Sequence, residues 1–168
     1  TLVSSCHRYE TAGKLFIIGG GQMPSAMVDK IIQVSGINNG SYGIVLAMAS
    51  IQPDTAIIDT KNEFINRGCT NIYGLRFAKG QTITQSFIDS IRNARLIFIS
   101  GGDQSRFMDV ISGTPVQKTI HEAFENGTLI CGTSAGAAVM SKKMITGNEL
   151  KYPGDSSNFN SIEAGNIE

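Results

Sequence analysis

The chain has 168 residues, of which 41% are hydrophobic and 17% charged, a balance typical of a single globular domain. Its 14 basic and 14 acidic side chains cancel, so the composition gives no reason to expect nucleic acid or an acidic membrane surface as a partner. No apolar run approaches the roughly 20 residues that a membrane helix needs, and we expect a soluble chain without a membrane partner.

Three widely spaced cysteines, Cys6, Cys69 and Cys131, fit neither a disulfide framework nor a zinc site. We therefore expect no metal and no other cofactor, and we predict that Cys69 and Cys131 are small core residues. The chain begins with Thr1 rather than Met, which suggests removal of an upstream segment. That start leaves cytoplasmic and secreted or periplasmic locations open.

Residues 1–13 are polar and irregular, and they predict a surface arm ahead of one domain over residues 14–168. A leading threonine is the nucleophile in some hydrolases, with its own amine as the base. The segment after Thr1 does not enter a strand in the way that such enzymes require, so we look for the nucleophile elsewhere. His7 and Cys6 also lie in the arm, and we assign neither a catalytic role.

From Lys14 onward, short apolar runs alternate with segments whose apolar residues have helical spacing. This alternation predicts right-handed βαβ units and a parallel sheet between two layers of helices. The predicted strands cover residues 14–18, 43–49, 69–77, 96–100 and a run from 128 that stops at 132. The predicted helices cover residues 25–34, 54–67, 84–93, 105–111, 116–126 and a segment from 135.

Glycine-rich turns follow the first and fourth predicted strands. Gly19-Gly20-Gly21 lacks the spacing and the acidic residue of a dinucleotide-binding fingerprint, so we predict no such cofactor there. Ser100-Gly101-Gly102-Asp103-Gln104 follows the fourth strand. Because ligands bind beyond the carboxyl ends of parallel strands, this turn and the one after the fifth strand are expected to share a cleft.

The segment 132–136, Gly-Thr-Ser-Ala-Gly, joins the fifth strand directly to a helix-prone stretch. Gly-x-Ser-x-Gly is the spacing of a nucleophile elbow, in which small residues let the backbone turn sharply and present the serine hydroxyl. Ser134 is therefore the candidate nucleophile, and the N–H of Ala135 can hold an oxyanion at the helix start. A plain loop with Ser134 as a helix N-cap is the alternative.

Gly101 and Gly102 would let a second N–H face the same cleft. Asp103 and Gln104 offer polar side chains for a substrate, although Asp103 can equally cap the helix that follows. His121 lies beside the apolar stripe of its predicted helix, so we favour a surface histidine over a catalytic base.

Together, the turns at Gly19–Gly21, Gly101–Gln104 and Gly132–Ala137 resemble those of peptidase family S51, and within it the cyanophycinase branch. The resemblance extends from about Gly13 to Gly147. It implies a three-layer α/β/α sandwich related to the class I glutamine amidotransferases, with serine where those enzymes have cysteine. It also implies a peptide substrate and admits a homodimer.

The resemblance further implies residue roles. Ser134 would be the nucleophile, the N–H groups of Ala135 and of Gly102 or Asp103 would hold the oxyanion, and Gln104, with Asp103 and Thr133, would contact the substrate. The branch hydrolyses β-aspartyl-arginine links of cyanophycin. A serine exopeptidase like the related α-aspartyl dipeptidases is the alternative, but those typically have tryptophan in place of Thr133, and this chain contains no Trp.

Family members carry the triad histidine and acid after the elbow, and neither of the corresponding segments occurs up to Glu168. The strand-like residues 144–152 and the loop-like tail 152–168 contain no such motif. We therefore expect an amino-terminal portion of the family fold, inactive alone and completed by a carboxy-terminal remainder of the same precursor. An inactive binding module of the same fold is the non-enzymatic alternative.

Overall fold

The computed structural model describes residues 13–37 and 40–146, so nearly all of the predicted arm and the tail lie outside the described residues. Within them, strands and helices alternate as the sequence predicts. In chain order the elements are β1 (Lys14–Ile18), α1 (Ser25–Ser35), β2 (Gly43–Leu46), α2 (Pro53–Ile65), β3 (Ile72–Leu75), α3 (Gln85–Arg92), β4 (Leu96–Ile99), α4 (Gln104–Ile111), α5 (Pro115–Glu125), β5 (Leu129–Thr133) and α6 (Ala135–Ala138).

The strands form one sheet in the order β1-β5-β4-β2-β3, and every pairing in the described residues is parallel. β5 lies between β1 and β4, with Ile130 opposite Leu15 and Cys131 opposite both Phe16 and Phe98. The turns that follow β1, β5 and β4 therefore lie side by side at one edge of the sheet.

Successive side chains of the central strands point to opposite faces of the sheet and pack in two separate hydrophobic cores. On β4, Ile97 and Ile99 pack on one face with residues of α3, α4 and α5, whereas Leu96 and Phe98 pack on the other face with α1 and α2. Both faces of β2 and β4 are fully buried, which explains their continuous apolar sequences. The predicted three-layer α/β/α fold is confirmed.

Several predicted boundaries are wrong by a few residues. The second strand ends at Leu46, because Ala47 and Ser50 close a turn through the Ser50 N–H and the Ala47 carbonyl. The third strand begins at Ile72 rather than Cys69, because the Cys69 N–H donates to Phe64 and caps the preceding helix. Residues 144–146 have no regular structure, and the remainder of that predicted strand lies outside the described residues.

Cys69 and Cys131 are free and buried in the core, as predicted. Burial raises the pKa of the Cys131 thiol to about 12, so this thiol stays protonated at neutral pH. In residues 13–37 and 40–146, no group of three or more His, Cys, Asp or Glu side chains is arranged to bind a metal ion. No helix in this part of the chain is both long enough and apolar enough to cross a membrane.

Glu63 on α2 carries the one buried side-chain polar atom without a hydrogen-bond partner in the described residues, its Oε2 atom. Burial, and then the charge of Asp59 one turn earlier, raise the pKa of the Glu63 carboxyl. Because the folded state holds this proton more tightly than the unfolded chain, Glu63 disfavours folding increasingly as the pH rises through the pKa of the folded state.

We predict that Glu63→Gln, which removes the titration and keeps the shape, makes the protein more stable than the wild type at neutral pH. The difference should shrink as the pH falls below the ordinary glutamate range, where the wild-type side chain is protonated in both states. Chemical denaturation across this pH range measures it. Glu125→Gln, at the exposed end of α5, is the matched control and should change little. A variant less stable than the wild type at neutral pH would contradict the prediction.

Candidate active site

The turn at Ser134 is the most strained part of the described backbone. With φ 51° and ψ −115°, Ser134 is the only described residue other than glycine with a positive φ. Such a conformation costs about 1–3 kcal/mol and persists only where neighbouring contacts enforce it. Here the Ser134 N–H donates to the Ile18 carbonyl at 2.9 Å, and its carbonyl accepts from the N–H groups of Ala137 and Ala138. The exposed side chain is presented at a sharp strand-to-helix turn.

Glycines on either side of Ser134 let helix α6 pack its backbone directly against the sheet. A Cβ atom on Gly132 would overlap the Gly136 carbonyl, and one on Gly136 would overlap the carbonyl of Ile99 on β4. In both cases the obstructing atoms belong to the backbone, so no side-chain rotation would relieve the overlap. The Gly-x-Ser-x-Gly spacing is thus a packing requirement of this turn.

Ser134 lies between the two glycine turns that the sequence singles out. A Cβ atom built on Gly101 would be 3.5 Å from the Ser134 Cβ, and one built on Gly20 would be 3.6 Å from the same atom and 4.0 Å from the hydroxyl oxygen. This arrangement follows from the strand order, because β5 ends between β1 and β4. The glycine turns after β1 and β4 therefore lie on either side of the serine.

The backbone N–H groups of Ala135 and Gly102 make no hydrogen bond within the described part of the chain, and neither do those of Gly20 and Gly101. The Asp103 N–H, in contrast, donates to the Ala49 carbonyl at 2.9 Å. Of the two alternatives for the second oxyanion donor, Gly102 is thus the one whose N–H is available in this conformation.

Asp103 caps helix α4, as the structural alternative for this residue anticipated. Its Oδ1 atom accepts from the N–H groups of Ser105 at 2.8 Å and Arg106 at 3.1 Å. Its Oδ2 atom lies 3.7 Å from Nη2 of Arg106. The Asp103 carboxylate could therefore contact a substrate only while it also caps helix α4.

Gln104 begins helix α4, and its side-chain amide Nε2 donates to the Ile145 carbonyl at 2.9 Å. The Ser105 hydroxyl lies 3.5 Å from the Thr146 carbonyl, so residues 145 and 146 lie along the start of α4. The Gln104 Oε1 atom makes no hydrogen bond within the described residues. Thr133, the last residue of β5, is half-buried beside Gly101.

The described residues supply no base to Ser134, whose hydroxyl makes no hydrogen bond in them. His121 is exposed on α5, where it borders an apolar groove of about 490 Å³ that does not include Ser134. Arg106 is a site residue that the sequence analysis did not single out. Its Nη1 atom donates to the Ala49 carbonyl at 2.9 Å. The two residues are 57 positions apart, so no local sequence pattern predicts this hydrogen bond.

Comparison with known proteins places this chain in a family. The sequence profile of Peptidase family S51 matches residues 15–167, and the chain belongs to this family of peptidases. The crystal structure of a peptidase from an acI-B1 Actinobacterium is 22% identical and superposes with a TM-score of 0.66 over 82% of this chain and 60% of that one. This likeness supports the fold.

Cyanophycinases share short stretches with the chain at higher identity. The cyanophycinase of Trichormus variabilis is 50% identical over 52 residues, which are 30% of this chain and 17% of that protein. The cyanophycinase of Geminocystis herdmanii is 36% identical over 64 residues, or 38% of this chain and 24% of that protein. The matched stretches thus cover about a fifth of the length of these relatives.

We predict that Gly132→Ala destabilises the protein by about 2 kcal/mol, because the added methyl group meets the Gly136 backbone and cannot rotate away. Gly19→Ala is the matched control: nothing lies within 4 Å of a Cβ there, and its φ is not positive. It should change stability by less than about 0.5 kcal/mol. Urea denaturation of both variants measures the difference. Equal stabilities would contradict the proposed close packing of α6.

Proposed function

We propose that this protein is a serine peptidase of the cyanophycinase type, which hydrolyses β-aspartyl-arginine links through an acyl-enzyme on Ser134. The observation that carries the proposal is the exposed Ser134 hydroxyl at a strained elbow, beside the Gly101–Gly102 turn. Membership of the peptidase family supports hydrolysis of a peptide bond. The short matches to cyanophycinases favour the β-aspartyl substrate class.

In the proposed reaction, the Ser134 oxygen attacks the scissile carbonyl carbon while a base takes its proton. The carbonyl oxygen becomes an oxyanion, which the N–H groups of Ala135 and Gly102 stabilise by hydrogen bonds. The tetrahedral intermediate collapses by breaking the carbon–nitrogen bond, and the leaving amine takes the proton. Water then releases the acyl group by the same steps. The base and its orienting carboxylate come from outside the described residues.

Substrate recognition is proposed to involve Thr133 beside the Gly101 turn and the Gln104 Oε1 atom, with Asp103 as a third contact through Oδ2. An α-aspartyl dipeptidase activity is the second candidate, because family membership leaves the linkage open. A binding module of the same fold is the third. Hydrolysis of matched α- and β-aspartyl peptides separates these three.

A carboxy-terminal remainder of the same precursor is the proposed partner that supplies the base. The chain covers 60% of the aligned peptidase structure, which leaves room for further elements in such a protein. β1 is an edge strand, and its outward side chains Leu15 and Ile17 remain 48% and 65% exposed on the face that carries the apolar groove. Large exposed apolar side chains on an edge strand favour coverage by another segment.

We predict that Ser134→Ala lowers turnover of a β-aspartyl-arginine peptide at least about a thousandfold in the complete reading frame, because the nucleophile is lost. The fold should remain, since alanine keeps the Cβ atom. The exposed Ser86→Ala on α3 is the control and should retain full activity. Residual turnover by Ser134→Ala would refute the nucleophile. Wild-type cleavage of only the α-aspartyl isomer would favour the second candidate, and cleavage of neither isomer would favour the binding module.

A stability measurement tests the proposed remainder. We predict that Ile17→Glu destabilises the protein encoded by the complete reading frame by about 3 kcal/mol or more. The remainder would bury the glutamate carboxylate against β1 without a partner for its charge. In the 168-residue chain alone the same substitution should cost less than about 0.5 kcal/mol. Ile58→Glu, on a helix position that is 56% exposed, is the matched control and should be tolerated in both proteins. Equal tolerance of Ile17→Glu in both proteins would argue against coverage of β1.

A further inference from the structure

Arg106 and Asp103 hold the same backbone carbonyl. The Arg106 Nη1 atom and the Asp103 N–H each donate to the Ala49 carbonyl oxygen at 2.9 Å. Ala49 is fully buried in the turn that follows β2, so these two bonds tie the turn after β4 to the turn after β2. The Asp103 Oδ2 atom lies 3.7 Å from Nη2 and favours the guanidinium orientation that reaches Ala49.

Gly102 packs directly against the Ala49–Ser50 peptide that these two hydrogen bonds hold. A Cβ atom on Gly102 would overlap the Ala49 carbonyl group and would lie 2.9 Å from the Ser50 nitrogen. The φ of Gly102 is 137°, a value that side-chain-bearing residues rarely adopt. The position of the Gly102 N–H is therefore set by where the Ala49–Ser50 peptide lies.

We propose that Arg106 is a positioning residue: by anchoring the Ala49 carbonyl it fixes the Gly102 N–H that binds the oxyanion. The inference rests on the proposed function. Oxyanion hydrogen bonds act within a narrow range of about 2.7–3.1 Å, so a small shift of the Gly102 turn weakens the transition state more than the bound substrate. A loss of Arg106 therefore lowers kcat and leaves KM nearly unchanged.

The competing role for a partly exposed arginine is direct contact with a substrate carboxylate. The geometry favours positioning, since Nη1 is occupied by Ala49 and Nη2 lies toward Asp103. A substrate-binding arginine would raise KM on removal with little change of kcat, whereas a positioning arginine has the opposite signature. The two roles are thus separable by kinetics.

The kinetic experiment compares Arg106→Gln and Arg106→Lys in the complete reading frame with a β-aspartyl-arginine peptide as substrate. For Arg106→Gln we expect kcat to fall about 10- to 100-fold and KM to change less than threefold. Arg106→Lys, which keeps one cationic donor, should recover part of kcat. The affinity for a peptidyl boronic acid that bonds to Ser134 should fall in parallel with kcat/KM. Arg92→Ala, an exposed paired arginine of α3, is the matched control and should leave all values unchanged.

Unchanged kcat in Arg106→Gln, or a raised KM with unchanged kcat, would overturn the proposal. Amide hydrogen exchange supplies a second measurement that needs no turnover. The Asp103 N–H should exchange faster in Arg106→Gln than in the wild type and at the wild-type rate in Arg92→Ala. Unchanged exchange at Asp103 would also overturn the proposal. Two other outcomes would refute the proposed function: turnover that persists in Ser134→Ala, or no turnover in the wild type. In either case, the hydrogen-exchange measurement still decides whether Arg106 positions the turn.

Discussion

The site depends on a direct backbone contact between helix α6 and strands β4 and β5. Gly132 and Gly136 bring the helix so close to the sheet that the chain has to reverse within one residue, and that residue is Ser134. The strain at Ser134 is sustained by hydrogen bonds on both sides, one to β1 and two within α6. A looser contact would allow an ordinary helix start, in which the serine would cap the helix. The close contact instead leaves the side chain exposed, and the first N–H of the helix has no partner among the described residues.

Sheet topology surrounds this turn with the ends of neighbouring strands. Because β5 lies between β1 and β4, Ser134 is flanked by the glycine turns of both neighbours, although Gly20 and Gly101 are 81 positions apart in sequence. The β4 turn is in turn supported by the end of β2 through Ala49. Four consecutive strands of the sheet thus contribute to the position of one hydroxyl and of the two N–H groups beside it.

The sequence was sufficient for the parts of this arrangement that have local causes. Apolar runs and helical spacing predicted the alternating elements, and Gly-x-Ser-x-Gly predicted the turn at Ser134. What local patterns could not supply were contacts between distant residues. The occupied N–H of Asp103 and the bond from Arg106 to Ala49 both depend on how the ends of β2 and β4 meet. The end of β2 at Leu46 could not be predicted for a similar reason. The apolar sequence continues through Ala49, although the backbone leaves the strand after Leu46.

Within residues 13–37 and 40–146, Ser134 has no base, and the neighbouring strand β1 has exposed apolar side chains. Cys131, three residues before Ser134, cannot act as a nucleophile in its place, because burial raises the pKa of its thiol to about 12 and excludes solvent. In the proposed reaction, Ser134 needs a general base to take its proton. The exposed Leu15 and Ile17 lie on the strand that leads into the Gly20 turn, and the Ser134 N–H is bonded to the last residue of that strand. In the proposed enzyme, one continuation of the chain can bury the apolar edge and carry the base to the hydroxyl, so that folding of the remainder and completion of the site become the same event.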